Sequence, residues 1–301
     1  MNPMKIQARA PAKLNLCLYV GPRRSDGLHE ICSLFQSITL ADDVTMEVGV
    51  GERDEVVCPG VEGENLAAVA LARFRERFAW DGPPVRITIE KHIPVAAGLG
   101  GGSTDAATVL RLAALASGVR AGLEELLALA PTIGADVPSQ VEPGAQLVLG
   151  AGEIVERVHK HWHIAAVLLT NARGLETADV YATADRLGTT RHDLREVTER
   201  VNKGIVAASY SLLGQDDNIL HNDLEEAAIK LEPSVRQALD LLWESEARSA
   251  LVTGSGPTAF GLYPTLEHAE VARERLAQQW AAGEAILVQQ APSDYAIVRP
   301  G

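Results

Sequence analysis

Basic residues are in short supply in this sequence. Its 27 Lys and Arg face 40 Asp and Glu, leaving a formal net charge of −13 over 301 residues. Nucleic acids and anionic membranes are bound by Lys and Arg that neutralise phosphates, so neither is expected as a general partner. An anionic ligand would need a locally positive pocket. Cysteine is nearly absent: Cys17, Cys32 and Cys58 form no CxxC pair, which argues against a disulfide framework and a thiolate zinc site and fits a reducing cytoplasm. No apolar run approaches the roughly 20 residues a membrane helix needs, and MNPMKIQARAPAK lacks the apolar core of a signal peptide. A soluble, cytoplasmic protein is expected. With 47% hydrophobic and 22% charged residues, the chain can bury a sizeable core and is long enough for two lobes.

The first half opens with strand-like runs, KIQARA, LNLCLYV, ICSLFQSITL and DVTMEV, which suggest an antiparallel sheet of four strands with a turn at GPRRSDG. Asn65 reads as the N-cap of a helix over LAAVALARFRERF, and VRITIEK alternates as a strand does. A second helical stretch, LEELLALAPTI, runs to the loop GADVP, and AQLVLGAGEIVERV reads as a hairpin around Gly150 and Gly152. From about residue 160 the pattern restarts with the strand AAVLLT and helices near 176–187, 193–209, 222–231 and 234–245. The hairpin-like SALVTGSGPTAFGLY, a helix and the strand AILVQQA then suggest part of a ferredoxin-like unit. The fold class expected is α+β in two lobes, divided at 1–158 and 159–301.

What the sequence does concentrate is glycine. Gly98, Gly100, Gly101 and Gly102 cluster in IPVAAGLGGGSTDAATVL, and Ser103 and Thr104 follow as candidate helix N-caps. A helix N-terminus points unpaired N–H groups and the positive end of its dipole at the preceding loop, and glycines let an anion approach the backbone. Four clustered glycines exceed what a turn requires, so Pro94 to Thr104, Leu99 included, reads as a phosphate cradle. Neither a P-loop nor a GxGxxG fingerprint is present. A substitute for the P-loop lysine is therefore needed, because phosphoryl transfer rests on positioning and charge stabilisation.

Lys13 in PAKLNL is the best candidate for that cation, since a lysine inside a core-like strand needs a partner or an anionic ligand; a solvated strand end is the plainer alternative. Asn15 lies on the same strand face. Asp136 in GADVP is either a turn carboxylate or one placed to take a hydroxyl proton. Asp105, in the first turn after the glycines, is first-turn charge or a contact to a metal shell. His29 in the loop SDGLHE could bond a heteroaromatic ring, and Gly254, Ser255 and Gly256 in TGSG could offer backbone N–H groups. In HKHWH, His159, His161 and His163 share a face if the run is extended, which would suit a metal or a solvated strand entry.

Three segments, PAKLNLCL, PVAAGLGGGSTDAA and LVTGSGPTAFG, taken in this order and spacing, resemble the three motifs of the GHMP kinase superfamily. SDGLHEICSLFQSITLADDV, GADVP and GAGE further resemble the branch that phosphorylates a cytidine-diphosphate-linked polyol in isoprenoid precursor synthesis. The resemblance implies an N-terminal domain like ribosomal protein S5 domain 2, a ferredoxin-like C-terminal domain and a site in the cleft between them. It implies ATP and Mg²⁺ as cofactors, Asp136 as base for a 2-hydroxyl, Lys13 as charge stabiliser and Ser103 near the metal and phosphates. Asn15, Leu28, His29, Thr177 and Tyr181 would meet the substrate. Two departures from the branch stand out: Leu28 stands where an aromatic usually precedes the histidine, and Ser139 and Gln140 follow GADVP where Phe is usual. Another GHMP substrate, such as a sugar, homoserine or a mevalonate derivative, is the alternative, and a catalytically silent ligand-binding protein a third.

Overall fold

A computed structural model describes residues 4–160, 162–208 and 219–300. The chain opens with two long antiparallel strands, β1 (Met4–Arg23) and β2 (His29–Val48). They replace the four shorter strands expected. Nothing between Ala10 and Lys13 or between Leu40 and Asp43 turns the chain; a register shift between Pro11 and Lys13 absorbs the missing N–H of proline. His29 accordingly starts a strand rather than sitting in a loop.

A short strand β3 (Glu55–Val57) leads to helix α1 (Leu66–Phe78), where the Asn65 side chain accepts from Ala67 N at 2.9 Å as the cap reading requires. Strand β4 (Val85–Glu90) then feeds the glycine loop and helix α2 (Gly101–Ser117). After α3 (Leu123–Leu129) and the short α4 (Val137–Val141), the hairpin β5 (Ala145–Gly150) and β6 (Ile154–Arg157) pairs back onto β2. Ala67, Leu71 and Phe74 of α1 and Ala106, Val109 and Leu110 of α2 cover one face of this sheet, against Val44, Met46, Ile87 and Ile89.

The second half contributes β7 (Ala165–Leu169), α5 (Thr177–Leu187), α6 (Arg195–Ala207), β8 (His221–Asn222), α7 (Glu225–Leu231) and α8 (Ser234–Glu244). It closes with β9 (Ser249–Val252), β10 (Ala259–Tyr263), α9 (Leu266–Gln279), β11 (Ala285–Gln289) and β12 (Arg299–Pro300). The sheet order β11-β7-β10-β9 interleaves strands as a ferredoxin-like unit does. The lobes are not independent. Strands β8 and β12 both pair with β1, so a cut at residue 158 parts the first sheet from two of its strands. A shared core joins Leu14, Leu16 and Leu34 to Ala166, Leu168 and Phe260. That seam holds the glycine loop against the β9–β10 hairpin.

Candidate active site

The glycine loop is clasped from the opposite lobe. Gly98 has φ +77°, and a Cβ there would lie 2.2 Å from the Thr253 carbonyl oxygen. Only glycine combines that backbone with that approach. Gly254 is reciprocal: its Cβ would stand 2.9 Å from the Gly98 carbonyl and 3.2 Å from Lys13 Nζ. The Asn222 side chain donates to the Val252 carbonyl at 2.7 Å and the Gly254 carbonyl at 2.9 Å, holding the hairpin in place.

Lys13 settles its two readings. It is only 3% exposed, and its Nζ donates to Asn15 Oδ1 at 2.5 Å and to the Gly98 carbonyl at 3.0 Å. The Phe35 ring centroid lies 4.8 Å beneath it. Asp136 Oδ2 is 3.7 Å from the same nitrogen. Burial lowers the Lys13 pKa, and Asp136 pulls it partly back. Asn15 Nδ2 donates in turn to Ser33 Oγ at 3.0 Å, and Thr253 Oγ1 accepts from Asn15 N at 3.1 Å. This network fixes the ammonium before any ligand arrives.

Asp136 occupies the N-cap position of α4, yet its side chain makes no capping hydrogen bond and stays free to face Lys13. Ser139, the departure noted after GADVP, turns inward: its Oγ donates to the Asp136 carbonyl at 2.8 Å, and Gln140 Nε2 donates to Ser139 Oγ at 2.8 Å. Both are buried beneath the base candidate.

A cavity of about 400 Å³ joins these groups. Its lining includes Lys13, Asn15, Pro94, the run Gly98 to Ser103, Asp136, Thr177, Tyr181, Gly254 and Ser255. Helix α2 begins at Gly101 with Gly100, φ +72°, as an N-cap that has no side chain to offer. The first N–H groups of the helix therefore border the cavity without a capping side chain. Ser103 and Thr104 are not the caps expected; they lie inside the first turns, because the left-handed glycine starts the helix earlier.

Other expectations need correction. Thr104 is fully buried and does not line the cavity. Gly256 spends its N–H on the Thr253 carbonyl at 2.9 Å, closing the hairpin turn, and does not line the cavity either. Leu28 is 50% exposed in a turn outside it. His29 is buried just beyond the cavity wall, with its ring 5.3 Å from Tyr181 and Nε2 2.9 Å from Asp185 Oδ1. His159 and His163 join no metal-binding group among the described residues, and His161 lies outside them.

Asp105 is not in the first helical turn, and it belongs to an ionic group that the sequence reading missed. Lys91 Nζ donates to Asp105 Oδ2 at 2.8 Å and to Asp42 Oδ2. Asp42 also accepts the backbone N–H groups of His92 at 2.6 Å and Ile93 at 2.8 Å, so the protein solvates its charge. Asp105 has a buried Oδ1 with no partner. One ammonium thus serves two carboxylates. Burial, with Asp42 nearby and despite Lys91, pushes the Asp105 pKa up to about 7. Lys91 stands directly before the glycine loop, which is a visible signal in hindsight; Asp42, Thr253 and Asp185 carried none.

This cradle of backbone N–H groups beside a carboxylate and a buried ammonium suits phosphoryl transfer to an alcohol. Matches to known families decide which kind. The "GHMP kinases N terminal domain" description matches residues 65–151 and "GHMP kinases C terminal" matches residues 201–282. The chain belongs to the GHMP kinase family. A curated relative from Anaeromyxobacter dehalogenans (strain 2CP-1) is 37% identical over 311 residues, covering 99% of this chain and 94% of the relative. Another, from Saccharopolyspora erythraea, is 36% identical over 274 residues, covering 86% and 83%. Both carry the name 4-diphosphocytidyl-2-C-methyl-D-erythritol kinase. A crystal structure of 4-(cytidine 5'-diphospho)-2C-methyl-D-erythritol kinase superposes on this kinase with a TM-score of 0.76 at 32% identity, covering 95% of this chain and all, 100%, of the other. A homoserine kinase from Cytophaga hutchinsonii, 16% identical with a TM-score of 0.74, shares the fold. No helix among the described residues is long and apolar enough to cross a membrane.

Proposed function

We propose that this kinase transfers the terminal phosphoryl group of ATP to the 2-hydroxyl of 4-diphosphocytidyl-2-C-methyl-D-erythritol, in non-mevalonate isoprenoid precursor synthesis in the cytoplasm. The observation that carries the chemistry is the Asp136 carboxylate, uncapped and 3.7 Å from a buried ammonium at the edge of the glycine cradle. The substrate assignment rests on the two named relatives and the 32% identical structure.

The residues fit ATP phosphates. A cradle that a Cβ at Gly98 would fill, an uncapped helix N-terminus and Lys13 together favour a polyanion. Residues with oxygen donors for Mg²⁺ also line the cavity, Ser103 with its hydroxyl and Asp105 with its carboxyl group. When bound, Mg²⁺ neutralises phosphate charge. Asp136 orients the substrate hydroxyl and takes its proton as the oxygen attacks, while Lys13 stabilises the charge passing between nucleophile and phosphoryl oxygens. Asn15 and Gly98 hold Lys13 in place, so little reorganisation accompanies the transfer. The aromatic missing at Leu28 is replaced by Tyr181, which lines the cavity and would meet the cytosine, with His29 packed behind its ring.

The test is ADP release with Mg-ATP and the cytidyl substrate, beside the same alcohol without its cytidyl group and other GHMP substrates. Turnover confined to the cytidyl compound supports the assignment; turnover of another alcohol alone overturns the substrate and keeps the chemistry. Asp136→Asn lowers kcat about 10²- to 10⁴-fold with ATP binding retained, as loss of a general base does. Unchanged turnover in that variant removes Asp136 from the base role.

A further inference from the structure

A second cavity, of about 430 Å³, shares no lining residue with the first. Its walls come from α2, the end of α4, the start of β5, residues 157–160 and the segment after β11. In a chain of net charge −13 it gathers Arg111, Arg157, His159 and Lys160 against a single carboxylate, Glu142. Glu142 is already taken by Arg157 in an ion pair. Among the described residues Lys160 Nζ donates only to carbonyls, those of Val206 at 3.1 Å and Ala208 at 3.3 Å, at the C-terminus of α6.

Arg111 is the decisive residue. Among the described residues its guanidinium donates only to neutral acceptors: Thr108 Oγ1 at 2.7 Å, the Gln140 and Val141 carbonyls at 3.3 Å and the Arg9 carbonyl at 3.4 Å. Its buried Nε has no partner, and among the described residues no carboxylate pairs with it. Burial, relieved by no opposite charge, lowers its pKa to about 10. Cations so placed are ordinarily paired or held for a ligand, because removing one from water without compensation is costly.

We propose that this cavity binds a small phosphate ester, with Arg111 and Lys160 on the phosphate and the apolar walls at Val141, Pro292 and Ile297 around the organic part. A phosphate oxygen would replace the long Arg111 contacts to backbone carbonyls at 3.3 to 3.4 Å with a charge-assisted bond, and the volume lies in the usual range for small-ligand sites. The site is also joined to the chemistry. Arg111 sits on the helix that begins at the glycine loop, and its Nη1 holds the carbonyls at the end of α4, whose N-cap is Asp136.

The experiment is calorimetric titration of glycerol 2-phosphate into full-length protein saturated with Mg²⁺ and a non-hydrolysable ATP analogue, so that the glycine cradle is filled. Saturable binding at millimolar concentrations is expected, with none for glycerol. Lys160→Gln and Arg111→Gln should each weaken it about tenfold or more, the loss of one charged hydrogen bond. Should Arg111→Gln fail to fold, Lys160→Gln alone carries the comparison, with ADP release confirming an intact kinase. Absence of saturable binding, or an equal Kd in a folded Lys160→Gln variant, overturns the proposal.

Discussion

Lys13→Met removes an ammonium while keeping most of the side-chain volume, and so separates the cost of burying that charge from its use. At 3.7 Å, attraction to Asp136 amounts to roughly 4 kcal/mol at an effective dielectric near 20 and about 1 kcal/mol in water. The Asp136 side chain is 35% exposed, so solvent screening places the value toward the lower end. Lys13 is 3% exposed, and removing its ammonium from water costs several kcal/mol, of order the whole attraction. Two acceptors lose a donor in the variant, but the single Thr253 hydroxyl proton still serves one of them, Asn15 Oδ1 at 3.3 Å or the Gly98 carbonyl at 3.4 Å. That limits the further loss to about 1 to 3 kcal/mol. These opposing contributions nearly cancel. Unfolding free energy is therefore expected to change by less than about 2 kcal/mol, while kcat falls about 10²- to 10³-fold, as when one preorganised donor is removed from a charged transition state. Steady-state ADP release and denaturant unfolding on the same preparation measure both. A folded variant that retains kcat within tenfold of the parent, or a rate loss matched by unfolding, refutes the reasoning.

Gly98→Ala should destabilise by more than about 2 kcal/mol and raise the KM for ATP, because left-handed backbone costs an alanine about 1 to 2 kcal/mol before its Cβ meets the Thr253 carbonyl at 2.2 Å. Gly118→Ala, with φ +65° and open space around it, is the matched control for backbone cost alone in the same unfolding assay. Asp105 holds its proton to about pH 7 when folded against an ordinary value of 3.8, so its contribution to stability falls as pH rises from about 4 to about 7 and is level above. Asp105→Asn removes that slope, and unfolding free energies measured across this window should converge on or cross those of the parent; parallel curves disprove the assignment. His29→Ala should raise the KM for the cytidyl substrate more than that for ATP, since His29 touches Tyr181 and Asp185 rather than the glycine loop. Equal effects on both constants would indicate damage to the fold.

Much of this was legible locally. The Asn65 cap, the alternation in VRITIEK and the hairpin around Gly150 depend on neighbours in the chain, and the structure keeps them. The period-2 argument also placed Lys13 and Asn15 on one face, where they now share a hydrogen bond. Local reasoning failed where backbone geometry is set from a distance. Ser103 looked like a cap, but Gly100 starts the helix in a left-handed conformation, with Lys13 packed where its Cβ would go. Gly256 looked available to a ligand, yet the hairpin consumes its N–H.

The sequence by itself determined that this chain has a glycine-rich loop opening a helix, carries a lysine in a core strand and an aspartate after a helix, and belongs with the GHMP kinases. Those properties reside in short segments whose chemistry does not depend on the rest of the fold. Only tertiary structure decided that Lys13, Asp136 and the TGSG hairpin meet, and that Lys91 bridges Asp42 and Asp105 beside the loop. Charge and burial act through space. A residue's ionic partners, and thus its pKa and its role, follow from which distant segments the two sheets bring to the same few ångströms.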